Sequence, residues 1–144
     1  MTVLFTKILV ATDGSEKNRP AVSEALRIGR LCGSPVHAVY VADLGTFESA
    51  SADVVIGEGT WNLVQREAAE TLARIRDMAD GVHLTTVTLE GRPAAEILRY
   101  AQENGIDLIV IGTQGKRGVE RILLGSVAEN IIRNAPCRVL VVKN

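Results

Sequence analysis

Five short apolar runs, separated by stretches of helical periodicity, are the feature that most constrains what this chain of 144 residues can fold into. Lys7–Thr12, Pro35–Val41, Val82–Leu89, Asp107–Ile111 and Arg138–Val142 read as strands. From Leu108 to Ile111 the run is continuously apolar, as a strand covered on both faces must be. Val82–Leu89 alternates with threonines and predicts a more exposed strand. Between the runs, Val22, Ala25, Leu26, Gly29 and Cys32 follow the spacing of one buried helix face. Pro20 belongs in the first turn of that helix, and Gly33 can end it. Trp61, Val64, Ala68, Leu72, Ile75 and Ala79 predict a second and longest helix. Pro93 opens a third, with Ile97, Leu98 and Ala101 inward, and Gly105 closes it. A fourth starts near Ser126, carries Val127, Ile131 and Asn134, and stops before Pro136.

Strand and helix thus alternate from end to end. Right-handed crossovers between parallel strands then predict an α/β fold, a doubly wound five-stranded parallel sheet in a three-layer sandwich. No repeat or linker divides residues 1–144, so one domain is expected. Asp43–Thr60 resists assignment: it is acidic, rich in small residues and aperiodic. A connection of that length predicts a functional segment that is mobile without ligand.

Composition narrows the partners. Sixteen Lys and Arg against 17 Asp and Glu leave a net charge of -1, which gives no general attraction to nucleic acid or to an anionic membrane. Any phosphate must therefore be held locally. No charged-then-apolar leader opens the chain, and no apolar stretch is long enough to span a bilayer. Cys32 and Cys137 have neither metal nor CxxC spacing and suit free thiols in a reducing compartment. Together these features predict a cytoplasmic protein.

Ligands of open α/β sheets bind beyond the carboxyl ends of the strands, where strand order reverses. The first strand is expected at the centre, which directs attention to Ala11–Ser15, Val41–Asp43 and whatever follows Ile111. Gly112, Gly115 and Gly118 follow it, and Gly125–Ser126 then lead into a helix N-terminus. Glycines let backbone N–H groups approach an anion, and a helix N-terminus favours phosphate. Lys116, Arg117 and Arg121 add positive charge. Ser126–Val127–Ala128–Glu129 also matches a capping box, which needs no ligand. The GxxxxGK[ST] phosphate loop and a GxGxxG after strand one are both absent. His37 and His83 fall away from the strand carboxyl ends, and Asp13 is the one carboxylate clearly placed at the expected site. A single carboxylate with no partner base makes a poor hydrolase. The last strand, Arg138–Val142, lies at the chain end; only Arg138 and Lys143 flank its apolar run and no charge or proline interrupts it, which predicts a homodimer through antiparallel pairing of two copies.

The opening Lys7–Ser15 and the closing Leu123–Asn130 and Ala135–Val142 resemble the universal stress proteins, over essentially the whole chain. The ATP-binding members carry G-x2-G-x9-G-[ST], and Gly112, Gly115, Gly125 and Ser126 match it with every spacing intact. The resemblance implies a Rossmann-like fold of the adenine nucleotide alpha-hydrolase type and a nucleotide-dependent stress-response module with an unknown protein partner. It implies ATP with Mg²⁺ as ligand, and a slow ATPase or phosphotransferase acting on that ATP then stands as the alternative to a binding protein. Asp13 would contact ribose or the metal, Ala11 and Thr12 would line the adenine pocket, and Val41 would contact the base. Ile111 would pack below the nucleotide, and Gly112 and Gly115 would cradle phosphate and ribose. Gly125, Ser126 and Val127 would hold the phosphates through N–H groups and a hydroxyl. The family's frequent proline at the position of Ala11 is missing, which touches only a packing detail.

Overall fold

The computed structural model describes residues 4–43, 57–114 and 124–143. Strands β1 (Ile8–Thr12), β2 (Val36–Asp43), β3 (Leu84–Gly91), β4 (Leu108–Gly112) and β5 (Arg138–Val142) form one parallel sheet in the order β3-β2-β1-β4-β5. Helices α1 (Arg19–Cys32), α2 (Glu58–Met78), α3 (Pro93–Glu103) and α4 (Ser126–Asn134) connect them, and a short 3-10 turn, Glu16–Asn18, precedes α1. The expected α/β sheet is therefore present, with β1 at its centre.

Side chains alternate across each strand, and the sheet divides the core accordingly. Ile8 and Val10 point to the face covered by α1 and α2, where they meet Val22, Leu26, Leu72 and Ile75. Leu9 and Ala11 point to the other face, against Ile97 of α3 and Ile131 of α4. A strand buried on both faces favours apolar residues, which explains the runs Ile8–Ala11 of β1 and Leu108–Ile111 of β4. Burying each large aliphatic side chain of this kind contributes about 1.5–3 kcal/mol. The expected inward positions of α1, α2 and α3 are at least half-buried.

Two helix ends follow from local chemistry. Pro20 occupies the first turn of α1, where its missing N–H costs nothing, and Gly33 closes the helix in the left-handed region at φ 68°. In its last turn, α1 approaches β2 through Gly29, where a Cβ would lie 2.5 Å from Val36 Cγ2 and 3.0 Å from the Ser34 carbonyl.

Three readings of the sequence shift. Helix α2 begins at Glu58, so the last residues of the aperiodic stretch are helical; residues 44–56 lie outside the described residues. Strand β3 starts at Leu84 and runs on to Gly91, paired with β2 as far as Asp43. On α4 the buried positions are Ala128 and Ile131, whereas Val127 and Asn134 are exposed. The helix begins one residue earlier than a serine cap would place it, and its inner face is the one that carries Ala128 and Ile131.

Candidate functional site

Strand order reverses between β1 and β4: the chain leaves β1 toward β2 and β3 on one side and returns to β4 and β5 on the other. Loops from neighbouring strands part there and leave a crevice at the carboxyl edge. Its floor is apolar. Val10 pairs with Val110, which leaves Ala11 and Ile111 side by side one residue further on. Both are buried in the α3–α4 core together with Val41. Ala11 is the smallest of the three, so the floor dips at the centre of the sheet.

Beyond the floor the chain turns sharply. Gly14, at φ 84°, takes a conformation that other residues rarely adopt, and its N–H donates to Thr12 Oγ1 at 3.1 Å. The Ser15 N–H donates to Asp13 Oδ1 at 2.9 Å, an Asx turn that fixes the carboxylate at the end of β1. The back of this turn lies against α2, where a Cβ on Gly14 would meet Thr71 Oγ1 at 3.0 Å. An open cleft of about 220 Å³, lined in part by Thr12, Ser15, Arg19, Thr71 and Arg74, sits on that same side.

The other wall comes from the end of β4. A Cβ on Gly112 would sit 3.4 Å from the Lys17 carbonyl and 3.7 Å from Asn18 Nδ2, so the 3-10 turn packs directly on the end of β4. Thr113, which is buried, accepts the Gly125 N–H on its carbonyl at 2.7 Å. That bond brings the start of α4 back beside β4. A Cβ on Gly125 would approach the same carbonyl to 3.4 Å.

Helix α4 begins without a side-chain cap. Gly125 is its N-cap and Ser126 its first residue, so the capping box that the sequence allows is not formed. The first intrahelical bond runs from the Glu129 N–H to the Gly125 carbonyl. The N–H groups of Ser126, Val127 and Ala128 precede it, at the positive end of the helix dipole. Ser126 and Val127 are exposed. The Gly125 N–H is already engaged with Thr113, so an anion at this end would be met by the residues after it. Gly115, Lys116, Arg117 and Arg121 lie outside the described residues.

The structure thus brings Ala11, Thr12, Asp13, Val41, Ile111, Gly112, Gly125, Ser126 and Val127 to the carboxyl edge of the sheet. It adds Asn18, which the sequence reading passed over. Asn18 is buried; its Oδ1 accepts the Asp13 N–H at 3.3 Å, and its Nδ2 donates to the Gln114 carbonyl at 3.2 Å. The histidines lie elsewhere. His37 is at the opposite end of β2, 2.7 Å from the Tyr100 hydroxyl, and burial, with Lys7 and His83 nearby, lowers its pKa. Among the described residues no group of three or more His, Cys, Asp or Glu can hold a metal by itself. A single carboxylate such as Asp13 suits magnesium that arrives with phosphate oxygens, a donor set that this ion accepts. No helix of the described residues is long and apolar enough to cross a membrane.

Comparison with known proteins agrees with this fold. The model of the universal stress protein family matches residues 4–143. Universal stress protein MJ0531 of Methanocaldococcus jannaschii is 44% identical over 146 residues, covering 97% of this chain and 83% of the relative. The solved structure of protein MJ0577 from the same organism superposes with a TM-score of 0.85 at 30% identity, over 99% of this chain and 98% of that one. A universal stress protein solved in complex with cAMP shares the fold, with a TM-score of 0.69 at 23% identity, over 96% of this chain and 97% of that one.

Proposed function

The chain belongs to the universal stress protein family, and from that premise we propose that it is a regulatory module that binds ATP with Mg²⁺ at the carboxyl edge of its sheet. The observation that carries the reading is the junction of β4 with α4. Gly112, Thr113, Gly125 and the uncapped first turn of α4 meet there, beside the Asp13 turn, at the strand-order reversal. The base lies over Ala11 and Ile111 and touches Val41. Asp13 and Thr12 face the ribose and the phosphate-bound metal. Gly112 and, by its spacing in sequence, Gly115 let the chain approach the phosphates, which Ser126 and Val127 hold through N–H groups and the Ser126 hydroxyl. Gly125 shapes this turn by its bond to Thr113. The relative solved with cAMP lends the reading support, since it carries an adenine nucleotide on the same fold. Calorimetric titration of nucleotide-free protein with MgATP tests it: a saturable single-site isotherm is expected, with GTP a much weaker competitor. Absence of binding, or equal potency of GTP, refutes it.

The same reading includes a homodimer through β5. This strand pairs with β4 on one side, its last four residues are only half-buried, and among the described residues no strand covers its outer edge. A second copy related by a two-fold axis would satisfy the open N–H and carbonyl groups.

A further inference from the structure

Asparagine at the N-cap of a helix ordinarily turns its side chain onto that helix's own free N–H groups. Asn18 is the N-cap of α1 and makes no such bond. Its side chain is spent across the chain instead. Oδ1 accepts the Asp13 N–H at 3.3 Å, and Nδ2 donates to the Gln114 carbonyl at 3.2 Å and to Ser15 Oγ at 3.4 Å. The bond to Gln114 joins residues 96 apart in sequence. Asn18 is only 7% exposed, and the backbone beside it touches the place a Cβ would fill at Gly112.

These contacts form a chain of connection. The Asp13 turn is bonded to Asn18 and Asn18 to Gln114; the adjacent Thr113 carbonyl takes the Gly125 N–H at the start of α4. One buried amide therefore joins the two walls of the crevice, the carboxylate turn after β1 and the glycine-bearing loop after β4. An amide suits this task because it accepts with one atom and donates with the other, which neither a carboxylate nor a hydroxyl does in the same geometry. We infer that Asn18 is a positioning residue that sets the distance between the Asp13 turn and the β4–α4 junction, and so holds the site in its binding-competent form. The inference rests on the nucleotide reading above for its effect on affinity, but not for the tether itself.

The test uses the full chain with Asn18→Ala, Asn18→Asp and a control, Val36→Ala, at the far end of β2. Removing the amide should weaken MgATP binding about tenfold, the worth of one such bond. Val36→Ala should lower the melting temperature and leave affinity unchanged. Amide hydrogen exchange in the free protein reads the tether directly. Asn18→Ala should speed exchange at both Asp13 and Gly125. Asn18→Asp keeps the acceptor and loses the donor, so the Asp13 amide should stay protected while the Gly125 amide exchanges faster. A merely structural role would loosen both amides alike in Asn18→Asp as well, and that result overturns the inference. Wild-type affinity in Asn18→Ala also overturns it while leaving the nucleotide reading intact. Wild-type protein that fails to bind MgATP sinks the nucleotide reading instead, and the exchange pattern then decides the tether alone.

Discussion

Replacing Ser126 with alanine separates two roles that the sequence could not tell apart. A serine N-cap would lose a bond to its own helix, and the folded state would lose about 1 kcal/mol. Ser126 is instead the first residue of α4, behind a glycine N-cap with no side-chain cap, and it is exposed. Truncating its hydroxyl in the free protein should therefore change stability by no more than about 0.5 kcal/mol, as for ordinary surface positions. With nucleotide bound the same hydroxyl meets phosphate, and a hydrogen bond to a charged group contributes about 1.5–3 kcal/mol. The dissociation constant for MgATP should rise roughly 10- to 150-fold. Calorimetry on wild type and Ser126→Ala measures the affinity, and thermal melts without nucleotide measure the stability. A shift of the melting midpoint of no more than about 2 °C is expected for a chain of this size. Unchanged affinity together with a stability loss near 1 kcal/mol would show that the hydroxyl caps the helix, and would refute the reasoning.

Gly29→Ala should destabilise the fold by about 1–3 kcal/mol by denaturant titration, because a Cβ 2.5 Å from Val36 Cγ2 outweighs the better helix propensity of alanine; a gain in stability would contradict this. The folded pKa of His37 lies below its ordinary value of 6.5, so the unfolded chain takes up a proton first and stability should fall as pH drops through 6.5. His37→Gln should flatten that slope in melts across this range, and an unaltered slope would assign it to other groups. Successive N–H groups of β5 point alternately to β4 and to the outer edge. Of Leu140→Pro and Val141→Pro, one should therefore unfold the β4–β5 pairing and the other should remain folded and sediment as a monomer. Wild-type protein that sediments as a monomer at high concentration would rule out the dimer.

The parts of the fold legible in the sequence are those set by burial on both faces. Ile8–Val10 and Leu108–Ile111 could be nothing but central strands, and they lie side by side beneath the site. Strand β3 was less sharply bounded because among the described residues it pairs only with β2 and its side chains alternate in exposure, so pairing with β2 and not its own composition decides where it ends. The start of α2 was hidden because Glu58, Gly59 and Thr60 carry no apolar repeat. At the site, glycine spacing and the position of Asp13 located the two walls. The capping box was an ambiguous signal, since a serine followed by glutamate three residues later looks the same whether the serine is the cap or the first helical residue. Asn18 went unread for a similar reason: an asparagine before a helix signals a cap, and its true partner, Gln114, is distant in sequence.

The central claim is that an adenine nucleotide occupies the carboxyl edge of the sheet between the Asp13 turn and the β4–α4 junction. Amide chemical-shift mapping of isotope-labelled protein during titration with MgATP tests both the ligand and the place. The account predicts saturable shifts at Asp13, Val41, Gly112, Ser126 and Val127, with Val36 and Leu108 at the opposite edge unmoved. No shifts, or shifts confined to the cleft lined by Thr71 and Arg74 on the α1–α2 side, would contradict it.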